Sequence, residues 1–178
     1  MTKQSVKPIG QITNAKPESN TIVISDTSPI CYLLLIGEIE LLSQLYGQVI
    51  IPKIVQQELS DDRAPSIVQN WIKNPPNWLR IETVPENNDD PELQDLDAGE
   101  KAAIILADIQ GADLVIIDDG LGRKIARSRG LKITGLLGVL NEAGKKNFVD
   151  FPDAIARLQK TSFFASEKLI QALLKSYQ

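Results

Sequence analysis

Short apolar runs alternate along the chain with longer stretches in which apolar residues recur every three or four positions. The first kind of pattern predicts buried strands and the second amphipathic helices. TIVIS (21–25) is the first strand, and the apolar PICYLLLIG that follows is a helix stopped by Gly37. EIELLSQLY sets Ile39, Leu42 and Leu45 on one helical face and ends at Gly47. QVIIP is a short buried strand, and PKIVQQELS a helix entered through Pro52. APSIVQNWIKN is a helix with Ile67 and Trp71 facing inward and Ile72 as a further candidate, and WLRIETV is a strand. PENNDDPELQDLD reads as a long polar loop. AGEKAAIILADIQ is a helix closed by Gly111, and DLVIID the next buried strand. A helix with a basic outer face (GLGRKIARSRG), a short strand (LKITG) and a helix (LLGVLNEAGKK) follow. FPDAIARLQ and SEKLIQALLKSY are the last two helices.

Buried strands alternating with helices imply a mostly parallel sheet covered on both faces. Ligands of such sheets bind at the carboxyl ends of the strands, near the switch point in strand order. Acids fall at that edge twice. Asp26 ends the first strand, and Asp118 and Asp119 end LVIID. Glu58 lies on the helix after the second strand, and Glu100 and Asp97 open a later helix. Each has an ordinary alternative. Asp26, Thr27 and Ser28 are good N-caps ahead of Pro29, Asp97 and Glu100 suit a helix N-terminus, and Glu58 suits a solvated face.

The totals narrow the chemistry. The chain of 178 residues, 43% apolar, suits one domain with a real core. It contains no histidine and one cysteine, Cys31. Triads based on histidine, and zinc sites based on histidine or thiolates, are thereby excluded from this chain. A lone cysteine also excludes an internal disulfide framework and fits a reducing cytosol. Net charge is −4, but unevenly spread. Twelve acids against Lys101 lie between Glu82 and Asp119, then seven bases against Glu142 between Arg123 and Lys146. A metal-binding face beside a phosphate-binding face has this layout, and so do two solvated helical faces.

Carboxylates crowded together repel one another unless a cation joins them. Oxygen ligands without Cys or His favour a hard ion, Mg²⁺ or Mn²⁺. Thr27 or Ser28 could add an oxygen ligand or orient a water. Such a site can ionise a water for attack on a phosphodiester.

Four segments in order, VISDTSPI (23–30), VIIPKIVQQEL (49–59), LDAGEKAAIILA (96–107) and DLVIIDDGLGRKIARSRGLKITGLLGVL (113–140), resemble the PIN-domain family, in particular its VapC-toxin-like branch. The resemblance runs from about residue 21 to the C-terminus. It implies a three-layer Rossmann-like α/β fold with a parallel sheet of about five strands. It also implies Mg²⁺- or Mn²⁺-dependent cleavage of single-stranded RNA. The family's first acid falls on Asp26, with Thr27 or Ser28 as its hydroxyl companion, and the second on Glu58. The third, normally an aspartate in D-A-x-I-A-x-x-A, falls on Glu100, with Ala107 seven residues on and Asp97 as the alternative. The fourth falls on Asp118 or Asp119. Arg123 matches a GR that often follows, and could contact phosphate or pair with the acids.

The resemblance further implies a toxin–antitoxin setting, with a small antitoxin covering the acidic site, and a homodimer. The expected layout is a flexible tail over 1–20 and a single PIN-like domain over 21–178. The polar N-terminus lacks the apolar core of a secretion signal, no run is long enough to span a membrane, and the expected location is the cytoplasm. Asp26, Glu58, Glu100 and Asp118 or Asp119 are expected to hold metal, with Arg123, Lys124 and Arg127 positioning the RNA backbone. Two other readings stand beside this one. A non-catalytic PIN-like module with a weakened metal site is favoured by Glu100 in place of Asp. A phosphotransferase using Asp26 as nucleophile is disfavoured because position 28 is Ser, where such enzymes carry a second aspartate.

Overall fold

A computed structural model describes residues 21–85 and 90–178. The expected tail over 1–20 lies outside the described residues. Five strands form one wholly parallel sheet: β1 (Val23–Ser25), β2 (Val49–Pro52), β3 (Leu79–Glu82), β4 (Leu114–Ile116) and β5 (Ile133–Thr134), in the order β3-β2-β1-β4-β5. The helices between them are α1 (Thr27–Leu35), α2 (Leu41–Tyr46), α3 (Lys53–Leu59), α4 (Ser66–Lys73), α5 (Ala98–Gln110) and α6 (Gly120–Ser128). α7 (Leu136–Lys145), α8 (Phe151–Leu158) and α9 (Glu167–Leu174) follow, and a 3₁₀ turn over Lys175–Tyr177 comes last. The expected three-layer α/β architecture is the one observed.

The side-chain period of two decides how the apolar strands serve both faces. Val23, Val49, Ile51 and Ile116 join one core with α1, α2, α4, α7 and α8. Their neighbours Ile24, Ile50 and Val115 join a second core with α5. Chain order reverses at β1, whose neighbours are β2 and β4. The crevice at the carboxyl end of β1 and β4 is therefore the switch point.

Three local expectations need correction. Ile67 is 50% exposed and points outward, while Val68 and Ile72 are buried. α4 is turned so that this i, i+4 pair faces the core, and Trp71 lies at its margin against Trp78, ring centroids 5.9 Å apart. α2 begins at Leu41, not Glu38. Gly37 adopts φ +77° and a tight turn intervenes, with Glu38 N–H donating to Leu33 O at 2.8 Å. The segment read as a polar loop is partly core: Pro91–Leu93 forms a 3₁₀ turn that buries Leu93, and Leu96 is buried after it. Asp90 caps that turn by accepting from Glu92 N–H at 3.0 Å.

Candidate active site

β1 delivers Asp26 to the switch point. Its N–H donates to Ile116 O at 3.0 Å, continuing the β1–β4 ladder one residue beyond the strands. Asp26 occupies the N-cap position of α1, yet its side chain makes no capping hydrogen bond. Its side chain is buried, with 4% of the residue exposed. Burial pushes its pKa up to about 7; the Thr27 N–H opposes this, and the charges of Glu100, Glu58 and Asp118 add to the rise. Capping therefore does not explain why an acid ends this strand.

α3 brings Glu58 to the same place. Thr27 Oγ1 donates to Glu58 Oε2, and Gly99 N–H donates to Oε1 at 3.0 Å. Of the two hydroxyls after Asp26, Thr27 is thus the one bound to an acid. Gly99 is a site residue that carries no chemical group to announce it in the sequence. A Cβ there would lie 2.4 Å from Glu58 Oε2 and 3.0 Å from Asp26 Oδ1. Only a residue without a side chain lets the first turn of α5 approach both carboxylates.

Glu100 reaches back so that its Oε2 accepts from Asp97 N–H at 3.1 Å. The helix-terminus reading of this pair is thereby partly right. Burial raises the Glu100 pKa, the Asp97 N–H opposes, and Asp119, Asp97 and Glu58 raise it further. Asp26, Thr27, Glu58, Asp97, Glu100 and Tyr32 line one open depression of about 450 Å³, to which Ser28 and Cys31 also contribute. Burial pushes the Cys31 thiol up, away from the reactive thiolate.

The two acids after β4 have different surroundings. Asp119 caps α6, its Oδ2 accepting from Gly122 N–H at 2.7 Å. Asp118 Oδ1 accepts from Leu136 N–H at 3.0 Å, while its Oδ2 is buried without a hydrogen-bond partner among the described residues. Burial raises the Asp118 pKa, and Leu136 N–H and Arg123 oppose. Asp118 lines a neighbouring groove rather than the depression itself. Arg123 stands beside it in that groove, its Nη1 donating to Ile117 O at 2.9 Å. Lys124 and Arg127 are exposed on α6 and line neither.

Among the described residues, no three Asp, Glu or Cys side chains converge closely enough to hold a metal ion as they stand. The donor set nevertheless fits a hard cation. Mg²⁺ keeps several waters and needs only one or two carboxylates from the protein. Asp26 and Glu58 supply such a pair, all donors are oxygen, and none of these acids is ion-paired among the described residues. Among the described residues no helix is long and apolar enough to cross a membrane.

A family model described as a PIN domain matches residues 22–178. No curated protein matches the chain.

Proposed function

The chain belongs to the PIN-domain family, and on that premise we propose that it is a metal-dependent endoribonuclease of single-stranded RNA, the toxin of a VapC-like toxin–antitoxin pair. PIN domains are generally nucleases, and a nuclease takes a nucleic acid as substrate. One observation carries the proposal. Asp26 is a buried carboxylate at the switch point that makes no capping hydrogen bond and no ion pair among the described residues, with other acids around it. Isolated buried charge is costly, and a site that keeps it needs a cation at work.

Asp26 and Glu58 would hold Mg²⁺ or Mn²⁺, with Glu100 and Asp118 adding negative charge. Such an ion, when bound, supplies an ionised water for the phosphodiester and neutralises charge on the phosphate. Thr27 and the Gly99 N–H keep Glu58 fixed by one hydrogen bond to each carboxylate oxygen. The Asp97 N–H aims Glu100 in the same way. Arg123, tied to Ile117 O, sets a positive charge beside Asp118. Lys124 and Arg127 take the RNA backbone, a contact that positions without reading sequence and weakens with salt. A small antitoxin covers the acidic depression, the protein pairs as a homodimer, and it acts in the cytoplasm.

The test is cleavage of a mixed-sequence single-stranded RNA by wild type and Asp26→Asn, with Mg²⁺, Mn²⁺ or EDTA. Cleavage that needs both the metal and Asp26 supports the proposal. A folded wild type, freed of any partner, that leaves the RNA intact under every condition counts against it.

A second reading, a PIN-like binding module with a weakened metal site, draws on two observations. Glu100 Oε2 is taken by Asp97 N–H, and no three acids converge among the described residues. Titration with Mg²⁺ or Mn²⁺ separates the two. A ligand of the native state raises the melting temperature, and no shift at millimolar ion favours the module.

A further inference from the structure

Phe164 is 90% exposed, by far the most exposed large apolar side chain among the described residues. It is nevertheless not on a loose segment. Phe163 packs edge-to-face on Tyr32, with centroids 5.2 Å apart at 77°, and Tyr32 Oη is 3.0 Å from Ser162 Oγ. Two residues on, Ser166 caps α9 by accepting from Leu169 N–H at 3.3 Å. The ring of Phe164 is therefore presented to solvent from a turn fastened on both sides. An exposed phenyl ring loses favourable burial, and a fastened one is well suited to be covered by a ligand.

What covers it is indicated by the groove beside it. This groove of about 420 Å³ is lined by Phe164, Leu137 and Leu169 together with Asp118, Arg123 and Thr134. An apolar lining that includes a few polar groups suits a flat heterocycle with polar edges. An aliphatic helix face would leave Asp118 and Arg123 buried against carbon. The same turn is joined to the acidic depression through Tyr32, which lines it. A strand of RNA engaged at the acids thus has this groove next to it.

We infer that Phe164 is a stacking platform for a nucleobase of the single-stranded RNA substrate, adjacent to the nucleotide being cleaved. The inference rests on the nuclease reading above. Single-strand binders use exposed aromatics in this way because every base offers a π-face. Phe164 is a positioning residue that does not line the acidic depression, so its loss acts on binding before it acts on the bond-breaking step.

The experiment measures binding of single-stranded RNA carrying 2-aminopurine, in EDTA so that no cleavage occurs, by wild type, Phe164→Ala and Phe164→Tyr. The wild type is expected to quench the reporter at one position along the strand. Phe164→Ala is expected to bind roughly five- to 150-fold more weakly, the equivalent of about 1–3 kcal/mol per stacked base, and to lose the quenching. Phe164→Tyr is expected to keep both, because it keeps the ring. With Mg²⁺ or Mn²⁺, Phe164→Ala raises KM more than it lowers kcat. Unchanged affinity and quenching in Phe164→Ala would overturn the inference while leaving metal-dependent cleavage, and hence the nuclease reading, intact. Loss of a dimer on gel filtration with RNA affinity unchanged would also overturn it, and assign the patch to a second copy of the chain. A wild type that neither binds nor cleaves RNA overturns both readings.

Discussion

Asp90, Glu92 and Asp108 surround the guanidinium of Arg129, at 2.6, 3.0 and 2.8 Å. Among the described residues Asp26, Glu58 and Glu100 make no ion pair with a basic side chain. The first cluster carries its own counter-charge and fastens the Asp90–Glu92 segment to α5 and α6. The Arg129 hydrogen bond holds the Asp90 carboxyl below the usual range, whereas burial lifts that of Asp26 to about 7. Equal numbers of acids thus give a structural clamp in one place and buried, uncompensated carboxylates in the other. The presence of a base, not the number of acids, separates the two.

The largest expected effect concerns Asp26 in metal-free protein. Its folded pKa is raised, so at low pH it is neutral in both states and costs nothing. As pH rises from about 4 to 7 the unfolded state loses its proton first, and stability falls. Above that window the cost is constant at about 4 kcal/mol. Asp26→Asn is expected to be the more stable protein at pH 8, by up to about 4 kcal/mol, with the advantage gone at pH 4. Urea denaturation in EDTA across that range checks it. A variant less stable than wild type at pH 8 would erase the contrast between the clusters.

Next comes Gly99→Ala. The added methyl group would sit 2.4 Å from Glu58 Oε2, so that carboxylate must turn aside. A displacement of about 1 Å in a catalytic group costs on the order of a hundredfold in rate. RNA cleavage is expected to fall by about that factor while the circular dichroism spectrum stays native. Activity within a factor of two of wild type would show that the approach of α5 to the two acids is not needed.

These two positions also show what the sequence made legible. The strand–helix rhythm predicted the parallel sheet, because apolar runs without period leave no exposed face. It placed Asp26 and Asp118 at one edge because strand ends are marked by where the apolar run stops. The rotation of α4 was not legible: Ile67, Val68, Trp71 and Ile72 allow two apolar stripes, and tertiary packing chooses between them. Gly99 was hidden because its role is the absence of atoms. Arg129 was counted with the basic block, yet it lies with acids from the other block, since charge order along the chain does not report which helices touch. Asp118 and Asp119 were indistinguishable by type and differ only in which N–H each one meets.

Arg129→Met tests the clamp. The methionine keeps most of the apolar stem and removes the charge from three acids. A loss of about 2 kcal/mol at pH 7 is expected, because the pairs are only partly buried. Here the sign is opposite to that of Asp26. Asp90 has a depressed pKa, so its contribution is present at neutral pH and disappears as acid protonates it. The wild-type advantage should therefore shrink on acidification. An advantage that stays the same across that range would mean that Arg129 acts through packing alone.

The smallest effect is expected at Thr27, and it bears on how the uncompensated cluster survives without a base. Among the described residues each oxygen of Glu58 has one donor, Thr27 Oγ1 on Oε2 and Gly99 N–H on Oε1. Neither carries charge, so they orient the carboxylate without neutralising it. That leaves the negative field available to a cation, as a lysine at position 27 would not. Thr27→Val keeps the shape and deletes the donor. The expected loss is about 1 kcal/mol in metal-free stability. Affinity for Mg²⁺, read from the melting-temperature titration, is expected to fall roughly tenfold, as for other loosened supports of metal ligands. Thr27→Ser restores the hydroxyl and should restore both. If Thr27→Val and wild type respond alike to Mg²⁺, Glu58 is held by Gly99 alone, and the hydroxyl after Asp26 serves α1 rather than the acids.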